Sequence, residues 1–218
     1  MACGSPLVPA RRHLCERCEF EVVPRPGSVT LPAPHGLRGG PAAKEVRYAL
    51  EFEGATRALI HALKYGGRTS VAAVLAELAA PVALAACGDR PDAVTAVPLH
   101  PVRQRERGFN QSALLAERLS EALGVPAITT LRRVRHSGAQ AKLARKDRLA
   151  MSAADFEPAG ARQCAGRILL VDDVVTTGAT LAAAARALSQ AGVNDVACFA
   201  VAGTPEGPAR GPLEAESG

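Results

Sequence analysis

Aromatic residues are scarce in this chain: it has no tryptophan, and two tyrosines and five phenylalanines make up 3% of its 218 residues. A surface that stacks the bases of single-stranded nucleic acid needs a denser supply of rings, so such a platform is disfavoured. Long apolar runs are lacking too. The best membrane candidate, "VAAVLAELAAPVALAAC" at residues 71–87, is interrupted by Glu77 and Pro81 and reads as a buried helix with a break. The N-terminal "MACGSPLVPARRH" is too short and too broken by proline for a secretory signal. The expectation is a cytoplasmic protein without membrane insertion. Charge of neither sign dominates: 26 Lys and Arg against 21 Asp and Glu leave +5, with a pI near 9.1. That bias suits a polyanionic ligand without by itself indicating nucleic acid.

What the chain does have is aliphatic residues in periodic blocks. A hydrophobic content of 48%, much of it alanine, supports the core of one α/β domain with a small appendage. Residues 1–42 are rich in Pro, Gly and Arg and read as a cysteine knuckle followed by a linker. Residues 43–203 form the domain, and 204–218 read as a disordered tail. Val46, Tyr48, Leu50 and Phe52 alternate as one face of a strand. A helix follows from about Ala55, with Leu59, Ile60 and Leu63 on one face, and "YGG" ends it. An alanine-rich helix starts near Ser70, and a short strand at Val94–Val97 meets an Arg-rich loop. Asn110 is a good N-cap for a helix that Gly124 closes. "VPAITTLRRV" reads as the next strand, "GRILLVDD" as a continuous apolar one, and "VACFAVAG" as the last, with a helix from Gly178 to Gly192 before it. Alternating strands and helices of this kind predict a parallel sheet covered on both faces. Ligands of such sheets bind beyond the carboxyl ends of the strands.

At one of those ends stands "ILLVDDVVTTGAT", residues 168–180. Asp172 and Asp173 repel each other, and a strand end needs no such pair for folding. The turn Thr176, Thr177, Gly178, Ala179, Thr180 offers backbone N–H groups and hydroxyls at the start of a helix, where a phosphate is favoured. The carboxylates before it can accept hydrogen bonds from vicinal hydroxyls and can hold a hydrated Mg²⁺. A phosphate beside a diol describes ribose 5-phosphate. The bland alternative is an ordinary strand–loop–helix with an incidental acidic pair, and it is weakened by the agreement of motif, strand and helix.

This stretch resembles the fingerprint of type I phosphoribosyltransferases. Together with "LKYGGR", "VPLHPVRQRERGFNQ" and "RRVRHSGAQAKLARKDR", it resembles the ComF family of amidophosphoribosyltransferase-like competence proteins over about residues 46–202. The resemblance implies a type I phosphoribosyltransferase-like fold that binds 5-phosphoribosyl-1-diphosphate with Mg²⁺ and transfers the phosphoribosyl group to an acceptor. It implies that Asp172 and Asp173 position the ribose and help spread the charge of the transition state. Leu99, His100, Pro101 and Arg103 would form the pyrophosphate loop. A mobile loop within Arg132–Phe156 would bring Arg133, Arg135, Gln140 and Arg145 to the diphosphate, with Arg105 and Arg107 adding charge. Each arginine taken singly could equally be a solvated loop charge. Two departures stand out: Ala150 and Met151 replace an Arg-Asn pair common in the family's mobile segment, and Thr176 stands where 6-oxopurine salvage relatives carry an acid. The second disfavours a purine base as acceptor. The family name also implies a different role, as an accessory of DNA uptake that contacts single-stranded DNA and a translocation helicase. A third reading is a module that holds the ligand without turnover.

The cysteines divide in two. Cys87, Cys164 and Cys198 lie singly in or beside apolar segments and read as core fillers. Cys15 and Cys18, in "CERC", have the spacing of zinc ligands, with Cys3 upstream. A closed zinc site needs four ligands. In ComF relatives two Cys-x-x-Cys pairs supply them, and Cys3 matches the second cysteine of the first pair. Its partner would fall immediately before Met1, so the expectation is an incomplete zinc-ribbon-like knuckle, with His13 as a candidate replacement.

Overall fold

The computed structural model describes residues 18, 21–31, 44–134, 152–159 and 166–204. Its main sheet has five strands, named in chain order β1 (Gly27–Thr30), β2 (Glu45–Glu51), β3 (Ala93–Ala96), β6 (Arg167–Val175) and β7 (Asp195–Gly203). Their spatial order is β1-β2-β7-β6-β3, with β1 antiparallel to β2 and every other pair parallel. A separate two-stranded ribbon pairs β4 (Leu131–Arg133) with β5 (Phe156–Pro158), antiparallel. The helices are α1 (Gly54–Tyr65), α2 (Val71–Cys87), α3 (Pro101–Arg107), α4 (Gln111–Leu123) and α5 (Ala179–Gln190). The chain is thus an α/β protein built on a mixed, mostly parallel sheet.

Two cores lie on the two faces of that sheet. Leu59, Leu63, Leu75, Leu115 and Leu119 from α1, α2 and α4 pack on Leu169, Val171 and Phe199. On the other face Leu181, Ala184 and Leu188 of α5 pack on Ile168, Leu170 and Cys198. Successive strand residues point to opposite faces, so Leu169 and Leu170 serve different cores, and both are fully buried. This explains why β6 and β7 read as unbroken apolar runs. Burial drives the Cys198 thiol up to about 12 and that of Cys87 to about 11, so both behave as small apolar fillers.

Four features differ from expectation. β1 lies inside the segment read as knuckle and linker, so the domain begins before residue 43. Helix α2 runs unbroken through Pro81, which lies on its exposed side. Residues 101–107, read as loop, form α3: Pro101 occupies the first helical position, where a missing N–H costs nothing, and His100 Nδ1 accepts from Val102 N–H at 3.2 Å. The strand read into "VPAITTLRRV" divides. Ala127 makes one bridge to Val94, and residues 131–133 leave the sheet for β5. Pro126 accepts a hydrogen bond from Val94 but has no N–H to extend the ladder.

Candidate functional site

The acidic pair sits at the carboxyl end of β6, where the register is Asp172 opposite Ala200 and Val174 opposite Ala202. Alanines in β7 leave this edge uncrowded. The two carboxylates are placed unlike each other. Asp172 Oδ1 accepts from the Ser112 hydroxyl at 2.8 Å and from the Asp173 N–H at 2.9 Å. Ser112 is the second residue of α4, oriented by Asn110, whose Oδ1 accepts from Ser112 N–H at 3.0 Å and whose amide donates to the Val97 carbonyl at 3.1 Å. Asp173 turns inward and is only 5% exposed. Its Oδ1 accepts from Val174 N–H at 2.9 Å, and Lys64 Nζ stands 2.5 Å from its Oδ2. The two acids are thus not equivalent: one is partly open, and the other is buried in an ion pair.

Desolvation, followed by the charge of Asp173, pushes Asp172 up to about 7, against the opposing pull of Ser112, the Asp173 N–H and Lys64. Arg133 on β4 belongs to the same electrostatic neighbourhood. Its burial lowers its pKa, Asp155 and Asp172 counteract that, and Arg103 adds to the lowering. The guanidinium lies 5.7 Å from the Phe156 ring centroid, across the ribbon. Asp172 on β6 and Arg103 on α3 thus both influence the Arg133 guanidinium on β4, with opposite sign.

After Val175 the chain turns through exposed Thr176 and Thr177 into α5. Ala182 N–H is the first amide of α5 bonded within the turn, to the Gly178 carbonyl at 2.8 Å, so the N–H groups of Ala179, Thr180 and Leu181 precede the helical ladder. Thr177 Oγ1 lies 3.4 Å from Ala179 N. Gly178 adopts φ +70°, and a Cβ there would stand 2.8 Å from Leu31 Cδ2 and near Val46 and Val29. A side chain at 178 would collide with the apolar floor of the turn.

Of the other expected residues, Leu99 and His100 are half-buried before α3, and Pro101 and Arg103 are exposed at its start. Arg135, Gln140, Arg145 and Met151 lie outside the described residues, as do Cys3, Cys15 and Cys164. Cys18 is buried with Val22 in the core that α1 also covers. Sequence reasoning missed Lys64 and Ser112 as partners of the acids; "LKYGGR" held the signal for the first. Phe52 and His61 stack at 6.4 Å, His61 meets Tyr65 edge-on at 5.6 Å, and Arg107 lies 5.0 Å over Tyr65, which is 69% exposed.

A family model described as "Phosphoribosyl transferase domain" matches residues 110–211, from the cap of α4 past β7, and so includes the acidic pair and the turn. The "DNA utilization protein YhgH" of Salmonella typhi is 31% identical over 195 residues, 85% of this chain and 82% of that protein. The chain belongs to the ComF family. "Competence protein F" of Haemophilus influenzae is 36% identical over 122 residues, and this chain spans half of its length. "Competence protein ComFC" of Bacillus subtilis is 38% identical over 96 residues, 44% of this chain and 38% of that protein. The ComF membership accounts for a phosphoribosyl transferase domain. Among the described residues no helix is long and apolar enough to cross a membrane.

Proposed function

We propose that this ComF protein binds 5-phosphoribosyl-1-diphosphate at the carboxyl end of β6 and transfers its phosphoribosyl group to an acceptor nucleophile. One observation carries the reading: a partly open, hydrogen-bonded Asp172 stands just before a turn that presents helix-start amides and threonine hydroxyls, within the region matched by the phosphoribosyl transferase model. The turn would take the 5-phosphate. Asp172 would accept a ribose hydroxyl, and Arg133 and Arg103 would face the diphosphate. In the reaction the bond from the anomeric carbon to the diphosphate oxygen breaks and its electron pair leaves with the diphosphate. The acceptor's lone pair forms the new bond, and the acceptor's proton passes to solvent water. Positive charge that develops on the ribose between these events is stabilised by the Asp172 carboxylate.

Mg²⁺ is proposed to enter on the diphosphate. Hard oxygen donors suit it, and Asp172 Oδ2, which has no hydrogen-bond partner among the described residues, fits contact with its hydration shell. Bound there, the ion would withdraw charge from the leaving oxygens. Zinc at Cys3, Cys15 and Cys18 is proposed on spacing alone, and elemental analysis of the purified protein checks it.

Calorimetry with 5-phosphoribosyl-1-diphosphate and Mg²⁺, followed by pyrophosphate release against candidate acceptors, tests the reading. Absence of binding overturns it. Binding without release for any acceptor leaves a ligand-holding module.

A second reading, contact with single-stranded DNA and a helicase during DNA uptake, is compatible with relatives named for competence and DNA utilization and draws on the ring series that ends on Arg107 and Tyr65. Exposed Arg103 and Arg105 accompany Arg107 on α3. Tyr65→Ala would weaken oligonucleotide binding several-fold and spare ribose 5-phosphate.

A further inference from the structure

A cavity of about 460 Å³ opens at the carboxyl end of β2, where the chain passes into α1. Glu21, Glu51 and Glu53 line it, against one cation, Arg25. The Arg25 guanidinium lies 3.2 Å from Glu51 Oε2 and 3.8 Å from Glu53 Oε1. Glu53 precedes α1 without capping it through its side chain. Arg57 N–H is the first amide of the helix to bond, to the Glu53 carbonyl at 3.1 Å, so the N–H groups of Gly54, Ala55 and Thr56 stand ahead of the helical ladder. Thr56 is the second observation. It is only 4% exposed and lines the cavity, yet its hydroxyl has no hydrogen-bond partner among the described residues. Native folds rarely leave a buried hydroxyl unmatched, and a helix gains nothing from threonine over alanine.

The charge balance decides the class of ligand. Three carboxylates against one guanidinium leave negative charge in excess, which repels a simple anion. A simple cation would match the carboxylates and leave the helix-start amides and the Thr56 hydroxyl without partners. A small molecule carrying both signs answers both. We propose that this cavity binds a free α-amino acid as its zwitterion. The α-carboxylate sits on the first amides of α1 and the Thr56 hydroxyl, where a helix start favours an anion. The ammonium meets Glu53, whose side chain is 72% exposed and turns only Oε1 toward Arg25. The site is separate from the acidic pair. Lys64, which meets Asp173, lies in the last turn of α1, about 15 Å along the helix from Gly54. The inference therefore stands independently of the phosphoribosyl reading.

Calorimetry on the full chain tests it, with each standard amino acid titrated singly at millimolar concentration. For the tightest binder the titration is repeated with its N-acetyl form, which lacks the ammonium, and its carboxamide, which lacks the carboxylate. The expected result is saturable binding of at least one amino acid, with each blocked form roughly tenfold or more weaker. Thr56→Val, nearly isosteric, and Glu53→Gln, on the exposed wall, should each weaken binding by about threefold or more. Thermal melts check that both variants fold, and should Thr56→Val not fold, Glu53→Gln decides alone. Failure of every amino acid to bind overturns the inference. So does a carboxamide that binds equally well, which shows an amine site, or an N-acetyl form that does, which shows an anion site. Binding that the folded variants leave unchanged places the amino acid elsewhere on the protein and overturns it too.

Discussion

At the scale of single residues, Asp172 links stability to pH. Its pKa in the fold, about 7, lies above the value of about 3.9 in an unfolded chain. The fold therefore favours the protonated acid, and this contribution is complete below about pH 4 and lost as pH rises through about 7. Denaturant midpoints of the ligand-free protein should fall between about pH 5 and 7.5, and Asp172→Asn should flatten that fall. A steeper fall in the variant would contradict the assignment. Arg103 and Thr180 should separate the two ends of the ligand. Thr180→Val should weaken ribose 5-phosphate and the diphosphate donor alike, by about 1–2 kcal/mol. Arg103→Ala should weaken the donor and spare ribose 5-phosphate; equal losses for both ligands would remove Arg103 from the diphosphate. As candidates, Asp172 and Thr180 stand out in the sequence because charge and hydroxyls at a strand end have no packing use. Lys64 does not, because an ion pair between residues 64 and 173 leaves no local periodicity in either segment.

Among the elements, α4 does the most to place the site. Asn110 caps it through Ser112 N–H and also ties it to Val97, the residue just beyond β3. Asn110→Ala should cost about 1–2 kcal/mol and weaken ribose 5-phosphate binding as Ser112 loses its orientation. Thermal melts and calorimetry check the two effects together. A stability loss with unchanged binding would show that Ser112 is held by packing alone. The long elements were readable from the sequence because their apolar residues recur at the period of a strand or helix. The short ones were not. "GSVT" is too brief to show alternation and sits after proline, while "PVRQRER" has one aliphatic residue beyond its proline and buries none of its positions. Its helix exists because of Pro101 and the His100 cap, which local chemistry signals and periodicity does not. β4 turned away from the sheet for a reason outside its own residues: its partner is the distant β5, with Arg132 opposite Glu157.

For the molecule as a whole, residues 27–31 pack as part of the domain that carries the candidate site. Val29 and Leu31 are 1% and 3% exposed, and the Leu31 side chain lies under Gly178. Leu31→Ala should therefore cost about 2–4 kcal/mol, where a linker residue would cost almost nothing. Urea unfolding measures it, and a change below about 0.5 kcal/mol would return this segment to the status of a linker.

The seat of the turn at residues 176–180 has a consequence for how such proteins diverge. A turn at residue 178 that rests on a leucine at residue 31 does not evolve independently of it. An N-terminal segment grafted from a distant relative would bring a different floor beneath an unchanged fingerprint. Affinity would then shift although every group that touches the ligand stays the same, and motif comparison would register no difference between the two proteins.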